Sequence, residues 1–219
     1  MTETLADMIE WDLADRGIKD QRLLDAFRKI DRRKFVPKLE MEHAYNDRAV
    51  YLSHGQTLSQ PYIVALMTQS LKLTGNEKVL EIGTGSGFQT AILATLAKTV
   101  YTVERIEPLA TTAEDRLLDM GIRNVQYKLG DGSEGWAEHA PFDRILITAA
   151  CPRVPARVME QLADGGICVA PVGPAEEQEL ITYTKRGGKL DANIGTPCAF
   201  VKLIGADGYK DAADPQQGV

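Results

Sequence analysis

From Lys78 to Val172 the chain alternates short apolar runs with runs of helical spacing, and this alternation limits the fold more than any other feature. "KVLEI" (78–82), "TVYTVE" (99–104), "NVQYKL" (124–129), "FDRILITAA" (142–150) and "ICVAPV" (167–172) read as strands. "FQTAILATLA" (88–97), Pro108 to Met120 and "PARVMEQLA" (155–163) read as helices, the second stopped by Gly121 and the third by Gly165-Gly166. Strands and helices in alternation form a parallel sheet with helices on both faces, so the expected class is α/β. Beyond Val172, "ELITYTKR", Gly187-Gly188 and "KLDANIGTPCAFVKLIG" read as antiparallel strands around a turn.

The first 75 residues have a different pattern. Leu5, Met8, Ile9 and Leu13 share one helical face that ends at Gly17, and Leu23, Leu24, Phe27 and Ile30 share another that Asp20 can cap. "YNDRAVYLSHGQTLSQ" reads as irregular or short extended structure, followed by a helix from Pro61 to about Leu73. A length of 219 residues with 44% hydrophobic residues suits one domain that needs no disulfide or metal. Residues 1–75 are expected to supply N-terminal helices and a substrate-site segment, 76–205 a cofactor-binding core, and 206–219 a mobile tail.

The formal charge of −6 argues against a nucleic-acid surface. Cys151, Cys168 and Cys198 are far apart and form no Cys-x-x-Cys pair, which points to reduced thiols and a cytoplasmic protein. The acidic N-terminus does not read as a signal peptide, and no stretch approaches a membrane span, so no membrane partner is expected. His43, His54 and His139 lack metal-ligand spacing, and no metal is expected.

The chemistry concentrates at "EIGTGSG", where Gly83, Gly85 and Gly87 stand between a strand and a helix. Glycines there let the backbone approach a ligand that also meets the free N–H groups of the helix. In an open parallel sheet that ligand lies beyond the carboxyl ends of the strands. The third glycine comes one residue too early for the dinucleotide fingerprint. Glu81 precedes the loop, Glu104 ends the second core strand and Asp131 follows the third. Three acids at three strand ends suit a cationic ligand carrying a ribose, and S-adenosylmethionine is one. Glu104 is placed to accept the ribose hydroxyls and Asp131 to meet the adenine edge. The alternative is a structural glycine turn whose acids only cap it.

Together with "KFVP" (34–37), "AYNDRAV" (44–50), "GQTLSQPYIVALM" (55–67), "VLEIGTGSGFQTAILA" (79–94), "GDGSEGW" (130–136) and "FVKLIG" (200–205), the chain resembles the protein-L-isoaspartate (D-aspartate) O-methyltransferase family. Its "GQTLSQP" block is the most specific piece. The resemblance implies a class I, Rossmann-like S-adenosylmethionine-dependent methyltransferase with a mostly parallel seven-stranded sheet and an N-terminal helical extension. It implies methylation of the free α-carboxylate of L-isoaspartyl residues in damaged proteins and peptides, with S-adenosyl-L-homocysteine as product. The ester then cyclises to a succinimide. A monomer is also implied.

On this resemblance Ser59 is the active-site residue. Glu81, Gly83, Thr84, Gly85, Gly87, Gln89, Glu104, Arg105, Asp131 and Gly132 bind the cofactor, and Thr57, Leu58, Ser59, Gln60, Phe200 and Val201 meet the substrate. The chain departs from the family at Phe88, usually tyrosine, at Tyr51-Leu52-Ser53, and at Lys202, usually proline.

A carboxylate is ionised at neutral pH, so its methylation needs no general base, and the lack of a catalytic triad or carboxylate dyad is expected. Thr57 and Ser59 are neutral donors able to hold a carboxylate without a strong counter-charge. With Pro61 opening the helix, Gln60 is the natural cap position, which leaves the Ser59 hydroxyl for another partner. "DRRK" (31–34) reads as a solvated face, Trp136 as a packing residue or a neighbour of adenine, and Asp143 as a structural group at a strand entrance. Two rival functions share the cofactor site: a methyltransferase for one aspartate in a dedicated precursor peptide, and a non-catalytic adaptor that binds damaged proteins.

Overall fold

The computed structural model describes residues 3–210. Seven strands form one sheet in the order β5-β4-β3-β6-β7-β8-β9. They are β3 (Lys78–Ile82), β4 (Thr99–Glu104), β5 (Val125–Leu129), β6 (Phe142–Ile147), β7 (Leu162–Val172), β8 (Gln178–Arg186) and β9 (Lys189–Cys198). β3 to β7 pair in parallel, whereas β7–β8 and β8–β9 are antiparallel. The chain lays β4 and β5 on one side of β3 and returns to place β6 on the other. The strand order therefore reverses at β3/β6, where an open α/β sheet forms its ligand crevice.

Strand alternation divides the core in two. Val79, Val100, Leu146 and Val169 face one apolar cluster, while Leu80, Val103, Ile145 and Cys168 face the other. The first cluster also holds residues of the N-terminal helices, of α3 (Pro61–Ser70), of α4 (Phe88–Leu96) and of α5 (Glu107–Asp119). The second packs against α6 (Ala156–Glu160). The N-terminal segment thus adds to the main core. α1 (Leu5–Asp7) continues as a π-helix over Met8–Ala14, and α2 (Gln21–Lys29) is capped by the Asp20 carboxylate.

Several boundaries differ from expectation. The helix expected over 155–163 ends at Glu160, and Gly165-Gly166 lies inside β7 next to a register shift against β6. Those glycines serve an irregular strand entrance and do not stop the helix. β9 ends at Cys198, after which the chain leaves the sheet and bridges Ala150 through Lys202 in parallel. β1 (Val50–Tyr51) and β2 (Thr57–Leu58) form a small hairpin whose turn holds His54 and Gly55 at φ 59° and 68°. The expected tail begins at 206, yet the Ala206 N–H donates to Asp131 and the Tyr209 hydroxyl to the Gly173 carbonyl. Residues 206–210 are anchored by these bonds, and 211–219 lie outside the described residues.

Candidate active site

At the carboxyl ends of β3, β4 and β6 opens a cleft of about 820 Å³. Its floor is Ile82, Gly83, Thr84 and Gly85, and one wall is Thr148 and Ala149 after β6. A Cβ at Gly83 would run into the Thr148 hydroxyl, and φ there is 97°, so only glycine lets the two strand ends approach this closely. Gly87 has a different task. It opens α4 at φ 85° and lies outside the cleft lining, and a Cβ there would stand 3.1 Å from Ala113 Cβ, so it sets the approach of α5.

The three acids expected around the ligand separate in the structure. Glu104 lines the cleft, accepting from the Gly85 N–H at 3.0 Å and the Ile106 N–H at 2.9 Å, one on each oxygen. A carboxylate has about four acceptor sites, so two remain for hydroxyls of a ligand. Glu81 is absent from the cleft lining. Its side chain points to the sheet face under α4, fully buried, and accepts from Thr90 and Thr102 at 2.6 and 2.7 Å. Burial pushes its pKa up to about 8 against the opposing effect of both hydroxyls, and the nearby Glu104 charge adds to the rise. It is therefore mainly neutral at pH 7. The expectation that Glu81 meets the ligand is thus corrected: a side chain one residue before the end of β3 points across the sheet and not beyond it.

Asp131 is likewise absent from the cleft lining, although Gly132 is part of it. Its carboxylate accepts from the Ser133 N–H and hydroxyl and from the Ala206 N–H. Burial opposes ionisation, but these donors outweigh it and hold the pKa below the usual carboxylate range. Asp131 fastens the C-terminal segment beside the cleft, next to Gly132 in its lining.

Of the other expected cofactor residues, Thr84, Gln89 and Arg105 line the cleft. Gln89 also donates to Thr68 at 2.9 Å, which ties α4 to α3. Thr57, Leu58 and Ser59 all line the cleft, and strand alternation at β2 buries Leu58 against the core while Thr57 and Ser59 stay partly open. Phe200 and Val201 close the far side, held by the Ala150 N–H on the Val201 carbonyl at 2.7 Å. Gln60 lies outside this cleft and lines a second cavity of about 580 Å³ together with Arg16, Tyr62 and Cys198. Thr57, Ser59 and Phe200 line both cavities.

The α3 terminus is capped by a residue that local sequence does not reveal. Asp47 accepts from the Tyr62 N–H at 2.9 Å and from the Gln60 amide at 3.1 Å, and it pairs with Arg16 at 2.5 Å. Gln60 makes no side-chain cap bond, and among the described residues no hydrogen bond engages the Ser59 hydroxyl. Arg32 was also missed. It is fully buried rather than on a solvated face, and donates to the Ala44 and Ser59 carbonyls at 2.9 and 2.7 Å. No periodicity marks it. Thr148 had a readable signal, being the first residue after β6 at the switch point. Trp136 stands edge-on to Tyr101 at 5.6 Å, outside the cleft lining, and Asp143 accepts from the Lys78 N–H at the entrance of β3.

A family profile described as Protein-L-isoaspartate(D-aspartate) O-methyltransferase (PCMT) matches residues 4–208. The chain belongs to the protein-L-isoaspartate(D-aspartate) O-methyltransferase family. It is 53% identical over 200 residues to the Protein-L-isoaspartate O-methyltransferase of Dictyoglomus thermophilum, covering 91% of this chain and 90% of the relative. It is 51% identical over 203 residues to Protein-L-isoaspartate O-methyltransferase 2 of Geotalea uraniireducens, covering 92% and 94%. Among solved structures, a protein-L-isoaspartate O-methyltransferase superposes with a TM-score of 0.84 at 27% identity, over 94% of this chain and 67% of that one. A Plasmodium falciparum structure, a putative family member solved with S-adenosyl-L-homocysteine, has the same fold at a TM-score of 0.79 and 22% identity, covering 93% and 99%. The family fold is thus a class I methyltransferase fold with the cleft described above at its switch point.

The residues present fit S-adenosylmethionine. The Gly83 turn leaves the floor open to a ligand, the Glu104 carboxylate retains acceptor capacity, and Val64, Met67 and Leu203 supply an apolar wall. No group of residues able to hold a metal ion occurs among the described residues.

Proposed function

We propose that this protein methylates the α-carboxylate of L-isoaspartyl residues in damaged proteins and peptides, using S-adenosylmethionine, with Ser59 orienting the carboxylate. The observation that carries the assignment of Ser59 is its position. It stands on the wall shared by the cofactor cleft and the second cavity, and its hydroxyl has no hydrogen bond among the described residues. The cleft takes the cofactor and the second cavity takes the polypeptide, so the free α-carboxylate that branches from the isoaspartyl backbone reaches the methyl group past Ser59.

S-adenosylmethionine supplies an electrophilic methyl group on a sulfonium. Glu104 accepts the ribose hydroxyls and thereby sets the depth of the cofactor. Thr57 and Ser59 donate to the substrate carboxylate, which arrives ionised, so no residue needs to remove a proton. Opposite charges neutralise as the bond forms, and water would favour the separated charges. The apolar wall of Val64, Met67, Phe200 and Leu203 excludes it. Alignment of carboxylate and methyl group supplies much of the remaining rate. The methyl ester formed is the species that closes to a succinimide.

The chain acts on isoaspartyl proteins as substrates, and among the described residues no helix is long and apolar enough to cross a membrane. We place it in the cytoplasm as a monomer, on the strength of its reduced thiols and a cleft that one chain completes. Ser59→Ala is expected to lower kcat on an isoaspartyl peptide at least tenfold with little change in the Kd for S-adenosyl-L-homocysteine. Unchanged turnover would remove Ser59 from the mechanism. An aspartyl twin of the same peptide should stay unmethylated, and its methylation would favour the precursor-peptide reading.

A further inference from the structure

The Arg32 guanidinium is fully buried, and no carboxylate pairs with it among the described residues. Such a charge gives up its hydration on burial, and its two bonds to neutral carbonyls are a poor exchange. Its third nitrogen, Nη1, is buried without a partner. Burial lowers its pKa to about 9, with Asp47 opposing the drop, so it remains charged at neutral pH. A neutral donor would satisfy these carbonyls at lower cost.

A rigid planar fork does something that a neutral donor cannot. Nε meets the Ala44 carbonyl, Nη2 meets the Ser59 carbonyl, and Cζ lies 5.0 Å from the centroid of the Phe88 ring. Phe88 is the first residue of α4, directly after the glycine loop, and Phe27 and Phe35 lock it edge-on at 5.8 and 5.3 Å. Ser59 itself lies between β2 and α3, outside both elements. Gln60 and Tyr62 after it are fixed by Asp47, but the only side chain on the Ser59 backbone among the described hydrogen bonds is Arg32.

We propose that Arg32 is a positioning residue for methyl transfer, holding the Ser59 backbone at a fixed place relative to the start of the cofactor helix. This inference rests on the assignment of Ser59 given above. Arg32 touches neither substrate nor cofactor, and it acts through the direction of the Ser59 hydroxyl.

The test is a double-mutant cycle on the full chain with an isoaspartyl peptide, combining Arg32→Met or Arg32→Lys with Ser59→Ala. Methionine keeps the volume without the charge, and lysine keeps the charge without the fork. Arg32→Met should lower kcat at least tenfold, with the Kd for S-adenosyl-L-homocysteine within about twofold of the parent, and Arg32→Lys should recover part of the loss. In the Ser59→Ala background the same substitution should change kcat less than about twofold. The lysine variant carries the same cycle if the methionine variant does not fold. An equal loss of kcat in both backgrounds, or a loss that follows cofactor affinity, overturns the role of Arg32 alone. Full turnover by Ser59→Ala overturns the Ser59 assignment and with it the positioning role.

Discussion

The Thr102 hydroxyl donates to Glu81 at 2.7 Å and stands 2.6 Å from the Thr84 hydroxyl. Thr102 thus links Thr84 in the glycine loop to the Glu81 carboxyl on β3, through hydroxyls on adjacent strands. The loop under the cofactor is anchored to a buried carboxyl that keeps its proton at pH 7.

This anchor gives the protein a pH-dependent stability. The folded pKa of Glu81, about 8, lies above its ordinary value of 4.5, so the folded state binds a proton that the unfolded state has released. The contribution is fully present below about pH 4.5 and is lost as pH rises toward 8, with a slope of up to about 1.4 kcal/mol per pH unit. Glu81→Gln should remove that slope. Urea unfolding of both proteins at pH 5.5 and 7.5 reads the difference, and parallel pH dependences would show that Glu81 is ionised in the fold.

Glu104 is the acid that faces the ligand, and its loss should be read in binding. In Glu104→Gln the amide nitrogen meets one of the two N–H donors now bonded to the carboxylate, from Gly85 or Ile106. A hydrogen bond to a charged group contributes about 1.5–3 kcal/mol. The expected loss of affinity for S-adenosyl-L-homocysteine is therefore about 10- to 100-fold by titration calorimetry. An unchanged Kd would mean that Glu104 only shapes the loop.

Asp47 caps α3 and should be read in stability. Asp47→Ala removes the acceptor for the Tyr62 N–H and leaves Arg16 without its partner. Loss of an N-cap costs about 0.5–2 kcal/mol. For a chain of this size that corresponds to roughly 1–8 °C in melting temperature. Scanning calorimetry checks it, and a change below that range would assign the cap to another group.

Much of this protein is determined by local pattern alone. The short, nearly continuous apolar runs from Lys78 onward mark the central strands β3 and β6 because these are covered on both faces, and the glycines at 83 and 87 mark a turn that other residues do not adopt easily. Thr57 and Ser59 on the same side of Leu58 follow from strand alternation. The likeness of Glu81, Glu104 and Asp131 in the sequence, each at or next to a strand end, does not carry into the structure. Only the packing of α4 over β3 and of residues 203–209 behind β5 decided that Glu104 faces the cleft while the other two are turned to hydroxyls and backbone. Arg32 and Asp47 were decided by tertiary structure as well. Each meets partners 12 to 31 residues distant in the chain, and a charged side chain gives no local sign that its partner is a distant carbonyl or helix end. Periodicity reports how a segment meets the core as a whole, whereas a buried polar group answers to the few atoms that happen to surround it.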